Sequence, residues 1–351
     1  MNINFNSILT LLFFSCFIFS LLVNYILLRF AQTLGIRNKD SQQVRWNPKA
    51  KPSVGGISFY LIFLFTFIFS ILSPHSTANY NLPMIGILIA TTLAFLMGLA
   101  DDAFNTQPIL KFLTQLVCAL ILIFSGHAIS IFQNQLINYF VTIIWVVGIM
   151  NSINMLDNMD GITSIVSMVI CFFMVLLNIS LQNTTSYTTI LNLGMIGALC
   201  GFLVFNFHPS KMFMGDTGSQ FLGLFLAIMG IDNCWNNTSA LNTNNFQILN
   251  IVLVGLVFIL PLTDTLTVTI NRLRAGGSPF VGGKDHTTHN LFFKGVTEKR
   301  IAILFLIINL ISIIFAYNLI LNYSTVLFYS ALAFAIVVSL SLYLNTIIKK
   351  R

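Results

Sequence analysis

Apolar runs near the ~20 residues needed to cross a bilayer recur along the whole chain, at about 8–30, 54–73, 83–100, 112–128, 136–150, 162–181, 189–207, 219–233, 247–270, 301–319 and 325–347. Nothing constrains the fold more. In hydrocarbon each backbone N–H and C=O must find its partner inside its own segment, so each run reads as a helix. Composition agrees: 56% of the 351 residues are hydrophobic and 8% are charged, against roughly 25% charged in a soluble domain. The expectation is an all-α integral membrane protein, a polytopic bundle of about eleven transmembrane helices forming one domain over 1–351. Cys16, Cys118, Cys171, Cys200 and Cys234 are scattered without metal-type spacing and imply no disulfide framework. Met1–Ser7 carries no positive charge and no small-residue cleavage site follows, so the first run reads as a span rather than a signal peptide.

The connecting loops, taken alternately, separate by charge. Arg29 and one set of loops hold all 17 Lys and Arg residues: 37–51, Lys111, Lys211, 272–300 and 349–351. The other set, near 74–82, 129–135, 182–188, 234–246 and 320–324, has none. The positive-inside rule makes the basic side cytoplasmic. An outside N-terminus and an inside C-terminus require an odd number of spans, which eleven satisfies. The same rule accounts for the net charge of +7 without a nucleic-acid partner. Asp40, Asp101, Asp102, Asp157, Asp160, Asp216, Asp285 and Glu298 fall on the cytoplasmic side too, with Asp264 in the inner part of the ninth run and Asp232 alone outside. A site at the cytoplasmic membrane surface follows, built from the loops 31–53, 101–111, 151–161, 208–218 and 271–300.

Asn151–Gly161, Asn-Ser-Ile-Asn-Met-Leu-Asp-Asn-Met-Asp-Gly, is the densest polar stretch between apolar runs. Acids beside hydrocarbon are costly and mark function more often than stability. A three-residue step turns by about 60° on a helix, so Asn154 and Asp157, or Asp157 and Asp160, can converge. The whole series cannot share one face, which points to a broken helix end or a loop lip. A polar exit loop with a helix N-cap at Asp157 or Asn158 is the plainer reading. Asp101-Asp102 places two carboxylates side by side, where a cation or a substrate proton relieves their repulsion; Lys111 follows as a partner for a phosphate oxygen. Capping by Asp102 and snorkelling by Lys111 are the alternative.

Met214-Gly-Asp216-Thr-Gly-Ser219 flanks an acid with glycines, which let backbone approach a ligand closely. A lone carboxylate with amides nearby suits Mg²⁺, and a helix starting near Ser219 would aim its N-terminus at an anion; an Asx turn with an N-cap is the simpler possibility. In the loop 271–300, Arg272, Arg274 and Lys284 are candidate phosphate ligands, and His286 and His289 candidate donors to a phosphoryl group. The alternative is a basic loop lying on anionic lipid. The first cytoplasmic loop, with Arg45, Pro48, Pro52, Gly55 and Gly56, reads equally as a stiff substrate loop or as positive-inside charge.

Together these blocks resemble the polyprenyl-phosphate N-acetylhexosamine-1-phosphate transferase family. The signatures are Asp101-Asp102, Asn151-x-x-Asn154-x-x-Asp157-x-x-Asp160-Gly161, Gly215-Asp216-x-Gly218 and the histidine loop, in the family's order; the Pro-x-Gly-Gly-like first loop and Pro261-Leu-Thr-Asp264-Thr are similar too. The resemblance implies transfer of a sugar-1-phosphate from a UDP-N-acetylhexosamine to undecaprenyl phosphate at the cytoplasmic face of the bacterial inner membrane. Mg²⁺ is the implied cofactor, with Mn²⁺ as a substitute, UMP is released, and homodimerisation is left open. It implies Asp216 as principal metal ligand with Asn154 nearby. Asp101, Asp102, Asp157, Asp160, Lys111 and His286 match catalytic positions and His289 the last histidine of the family's loop; Arg272, Arg274, Lys284, Asn151 and Arg45 join His289 as candidate substrate-binding residues. Thr288 stands where the family's His-x-His-His loop has its middle histidine. That favours the GlcNAc-type branch over the muramoyl-pentapeptide branch. A secondary transporter is the rival from another class. Transporters place ionisable groups near the bilayer midplane on repeated halves, whereas here the span centres are nearly free of charge.

Overall fold

The computed structural model describes residues 5–31, 51–73, 81–236, 246–278 and 283–348. Arg45 and most of the first cytoplasmic loop lie outside the described residues. The regular structure is helical: α1 (Phe5–Ala31), α2 (Gly56–Leu72), α3 (Leu82–Phe104), α4 (Pro108–Phe124), α5 (Gln135–Leu156), α6 (Ile162–Ser180) and α7 (Tyr187–Asn206). Then follow α8 (Gly215–Gly230), a π-helical turn (Ile231–Trp235), α9 (Phe246–Val257), α10 (Ile259–Arg274), α11 (Thr287–Phe293), α12 (Glu298–Leu321) and α13 (Thr325–Ile347). Among the described residues the only β pairing is an isolated parallel bridge between Ser53 and Phe213.

Each of the eleven expected runs falls on a helix, with three differences. Seven helices (α1, α3, α5, α6, α7, α12, α13) are long and apolar enough to cross a membrane, and α9 with α10 makes an eighth if the bent pair is one span. The ninth run is broken at Phe258, where α9 and α10 meet at 83°. Pro261 explains the break: it has no N–H to give the Val257 carbonyl, and its ring crowds that oxygen. The fifth run extends to Leu156, so Asn151 and Asn154 ride the last turns of a helix. The loop 271–300 also contains α11, a short helix that its polar composition concealed.

α8 is the centre. Every residue from Thr217 to Gly230 is buried among α2, α3 and α5, as a helix apolar on all sides requires. The α1–α7 contact shows how bare helix faces let backbones approach in such a bundle. A Cβ on Gly201 would stand 2.5 Å from Ser20 Cβ, and Ser20 Oγ instead donates to the Ala198 carbonyl at 2.7 Å. The C-terminal ends of α3, α5 and α7 and the N-terminal ends of α4, α6 and α8 gather at one end of the bundle. The opposite end holds His127, Tyr187 and Asp232, with Tyr187 donating to Asp232 Oδ2 at 2.7 Å. All five cysteines are unpaired.

Candidate active site

Four helix ends build the polar mouth. From the first turn of α4, Lys111 Nζ lies 2.9 Å from Asp101 Oδ2 on α3 and 2.9 Å from Asp216 Oδ2 on α8. The other oxygen of Asp216 accepts from Asn154 Nδ2 on α5 at 2.5 Å, and the same amide donates to Ser219 Oγ at 2.8 Å. Asp101 Oδ1 accepts from the Thr106 amide at 3.0 Å and its hydroxyl at 2.5 Å. Thr106 follows Asn105, whose left-handed φ of 51° ends α3. Asp101, Lys111, Asn154 and Asp216, far apart in sequence, are thus one connected group.

Asp102 faces differently from its neighbour. Its Oδ1 accepts from the Asp216 amide at 3.0 Å, and its Oδ2 from the Thr217 amide at 2.8 Å and hydroxyl at 2.6 Å. The helix that reads from sequence as starting near Ser219 and awaiting an anion starts at Gly215, and the anion at its N-terminus is the chain's own Asp102, as the helix dipole favours. The glycines likewise serve helix packing here. A Cβ on Gly215, whose φ is +72°, would lie 2.4 Å from Asp102 Oδ2. One on Gly98 would lie 2.3 Å from the Asp216 carbonyl oxygen. The end of the first loop is tied to the same strip, because Gly55 and Gly56 donate to the Phe213 and Met214 carbonyls at 3.1 and 2.9 Å.

The stretch 151–161 divides its residues between three places. Asn151 exchanges hydrogen bonds with Gln115 of α4, which also donates to Gln220 of α8 at 3.0 Å; this amide ladder locks α4, α5 and α8 beneath the mouth. Asp157 ends α5 as its C-cap rather than capping a following helix. Burial, then the carboxylates of Asp216, Asp102 and Asp160, push its carboxyl up to about 7. Gly161, with φ +76°, carries the chain into α6, so the stretch is a helix end followed by a tight turn. Asp160 does not join the Lys111 group. It accepts from the Ser210 amide at 2.9 Å and hydroxyl at 2.8 Å, and lies 3.3 Å from His208 Nδ1 and 3.7 Å from Lys51 Nζ. His208 in turn is 2.9 Å from Glu298 Oε2.

The histidine loop, from α10 and α11, meets the end of α5 at Asn158. His286 Nδ1 is 2.8 Å from Asp264 Oδ2, while Asp264 Oδ1 accepts from the Thr287 amide at 2.9 Å and hydroxyl at 2.6 Å. His289 packs edge-on to His286 with ring centroids 5.3 Å apart. Burial, then the adjacent His286 ring, push His289 down to about 4, so it is neutral at pH 7. Thr288, in place of a histidine, is fully buried and donates to Asn158 Oδ1 at 2.6 Å, joining this loop to the end of α5. Arg272 forms a two-pronged pair with Asp285 at 2.7 Å on each prong. Although burial works the other way, those bonds hold the Asp285 carboxyl below its ordinary range. Arg274 turns outward onto Tyr343, its guanidinium 5.7 Å from the ring centroid. Lys284 is exposed beside Asp285.

Sequence reasoning missed Asp264 as a site residue, along with Lys51, Gln115, His208, Ser210 and Glu298. The signal for Asp264 was an acid just past a proline in an otherwise apolar helix, and for Gln115 an amide inside the fourth apolar run; the others gave none beyond their cytoplasmic position. The charge balance fits a hard divalent cation. Among the described residues, Asp101, Asp102, Asp157 and Asp216 lie near one another, and Lys111 forms salt bridges with Asp101 and Asp216; hard oxygen donors in excess of positive charge are what Mg²⁺ prefers. Asp216 supplies a carboxylate, and Asn154, whose amide nitrogen faces it, carries a carbonyl oxygen on the same side chain. Asp160, His208 and Glu298 also bring donor atoms within 4.8 Å of one another, but Lys51 and Ser210 already satisfy Asp160 there.

Helices long and apolar enough to cross a membrane, with polar side chains gathered at their ends, place the chain among multi-pass membrane proteins. The chain belongs to glycosyl transferase family 4, the polyprenyl-phosphate sugar-phosphate transferases that its motifs resemble. The family's sequence model matches residues 84–233, from α3 through the π-helical turn. Among relatives, a Mycobacterium leprae decaprenyl-phosphate N-acetylglucosaminephosphotransferase is 30% identical over 275 residues, 72% of this chain and 69% of the relative. A Bacillus subtilis protein named as a probable undecaprenyl-phosphate N-acetylglucosaminyl 1-phosphate transferase is 25% identical over 307 residues, 85% of this chain and 80% of its own. A Streptococcus agalactiae phospho-N-acetylmuramoyl-pentapeptide-transferase is 37% identical over 201 residues, which is 51% of this chain and 59% of that protein.

Proposed function

We propose that this protein transfers N-acetylglucosamine-1-phosphate from UDP-N-acetylglucosamine to undecaprenyl phosphate, forming the lipid diphosphate sugar and UMP and so initiating a cell-envelope polysaccharide. The observation that carries the reading is the shared Lys111 ammonium, 2.9 Å from both Asp101 and Asp216, with Asn154 on the far oxygen of Asp216. That arrangement offers a cation for phosphate oxygens and, beside it, oxygen donors for a metal. The fully buried Thr288 in place of a third imidazole, together with relatives named for N-acetylglucosamine that align over most of the chain, supports this branch over the muramoyl-pentapeptide one. The eleven helical runs and the loop charges support eleven spans, with the N-terminus outside and the mouth and C-terminus cytoplasmic in the bacterial inner membrane. One domain then carries the whole activity.

In this mechanism Asp216 and Asn154, with the nearby Asp157, would hold Mg²⁺. When bound it supplies positive charge that offsets charge on the pyrophosphate. Lys111 is placed to contact a phosphate oxygen of the donor, and His286 to donate to the same group from the loop above. The acceptor phosphate, whose second pKa is ~6, is largely dianionic at pH 7, so a strong base is unnecessary. A lipid phosphate oxygen bonds to the β-phosphorus as the bond to the bridging oxygen breaks, and UMP leaves with the electron pair. Asp101 takes any residual proton, and no covalent aspartyl intermediate is required. His289 and Arg272 bound the donor pocket, and Asp102 and Asp160 hold the elements around it.

The test uses purified protein in detergent with undecaprenyl phosphate, Mg²⁺ and UDP-N-acetylglucosamine, following UMP. Release that needs lipid and is abolished by EDTA and by Asp216→Asn is the expected outcome. Turnover only with another UDP-sugar would correct the donor. Silence across a panel of UDP-sugars, in folded protein, would refute the function.

A further inference from the structure

Asp264 is 1% exposed in α10, the helix that begins at the 83° bend. An acid so buried is costly unless its oxygens are fully engaged, and here they are: one meets the His286 ring and the other the first turn of α11. We infer that Asp264 is a positioning residue for the transfer reaction, holding His286 so that Nδ1 faces the carboxylate and Nε2 is the ring atom presented to a phosphoryl oxygen. The inference rests on the proposed function, in which His286 contacts substrate. A carboxylate that accepts from Nδ1–H selects the ring orientation and leaves Nε2 as the ring atom that can meet a phosphoryl oxygen. The same residue receives the Thr287 N–H and hydroxyl, so ring and helix start are fixed by one side chain. The ionisable groups facing His286 are Asp264 from α10, Asp285 from the preceding turn and His289 from α11. Asp285 is neutralised by Arg272 and His289 is uncharged near neutrality, which leaves Asp264 as the dominant partner.

The experiment measures kcat, donor KM and the pH–rate profile of UMP release for the full-length protein with Asp264→Asn, Asp264→Glu, His286→Gln, the Asp264→Asn/His286→Gln double variant and Thr287→Ala. Asp264→Asn is expected to lower kcat by on the order of 100-fold, the lower end of what a positioned proton donor contributes. It should change donor KM by less than about 2-fold and alter the alkaline limb of the pH–rate profile, because the carboxylate beside the ring is gone. The double variant should lose less than about 2-fold beyond His286→Gln, since the two act as one unit. Asp264→Glu keeps the charge and should keep the wild-type limb, a readout that stands even if the Asn variant fails to fold. Thr287→Ala removes only a hydroxyl at the helix start and should leave the limb in place. Losses that multiply in the double variant, or a limb that moves with Glu, would overturn the inference and reduce Asp264 to a helix anchor. Absence of UMP release from the wild type would instead refute the proposed function.

Discussion

Asp102 gives the sharpest test of the site's construction, because sequence and structure offer it different work. The resemblance casts it as catalytic, whereas the structure spends its oxygens on the Asp216 amide and on the Thr217 amide and hydroxyl, at 3.0, 2.8 and 2.6 Å. A hydrogen bond to a charged acceptor contributes about 1.5–3 kcal/mol, and an N–H left buried without a partner costs ~1–3 kcal/mol. In Asp102→Asn an NH₂ replaces one acceptor, so at least one N–H at the start of α8 faces a donor. Loss of the anion at the helix N-terminus adds up to ~1 kcal/mol, and relief of repulsion with Asp101 offsets part of the total. A net loss of about 2 kcal/mol is expected. It can be read from SDS titration of the protein in mixed micelles with EDTA present, so that metal binding does not enter. Turnover should fall as well, because the segment that loosens carries Asp216. The refuting result is a variant that unfolds at the wild-type SDS fraction yet has lost all turnover. Asp102 would then act on substrate, and α8 would be held by its apolar packing alone.

Two further predictions follow from the charges at the mouth. Asp157, raised to about 7 by burial and by Asp216, Asp102 and Asp160, binds its proton more tightly folded than unfolded, where its value is ~3.9. Its contribution to stability is therefore fully present below about pH 4 and lost as pH rises through about 7; the thermal midpoint in EDTA should show this decline, Asp157→Asn should flatten it, and a midpoint slope identical in the variant would refute it. Arg272 and Arg274 should separate: Arg272→Ala frees Asp285 and should raise donor KM on the order of 10-fold, within the range for breaking a charged two-pronged pair. Arg274→Ala, which loses an exposed contact with Tyr343, should stay within about 2-fold, and equal effects would contradict the different surroundings of the two side chains.

The helical runs and the shared end of the motif loops were legible because each rests on a strong local signal, apolar length in one case and charge placement in the other. Two kinds of feature were not. The break at Phe258 depends on Pro261 acting within a run whose hydropathy is continuous, so an apolar count passes over it. The partition of the acids depends on which oxygen meets which donor across helices, and no spacing rule contains that. Asp101 and Asp102 are adjacent and chemically identical, yet one meets Lys111 and the other the N-terminus of α8, because successive residues on a helix point about 100° apart. Asp157 and Asp160 differ for another reason. The chain leaves the helix between them and turns at Gly161, so the three-residue spacing that would align them on a helix no longer applies.

Four of these acids share one device. Asp101 takes the N–H and hydroxyl of Thr106, Asp102 those of Thr217, Asp264 those of Thr287, and Asp160 those of Ser210. In each case a carboxylate on one element grips both donors of a hydroxyl residue on another, at a helix start or in the turn that leads to one. The physical reason lies in the setting. Apolar packing fixes the helices along their lengths but ends at the mouth, where connecting segments are polar and have little core of their own. A charged acceptor with two donors from a single residue fixes position and direction there, and partial burial strengthens it by keeping competing water away. Asp216 directly precedes Thr217 and His286 directly precedes Thr287, so the residues proposed to meet metal and phosphate are the immediate neighbours of those gripped. The clasps thus set the reactive groups from the main chain outward, which is the preorganisation that phosphoryl transfer asks of a protein that does little covalent chemistry itself.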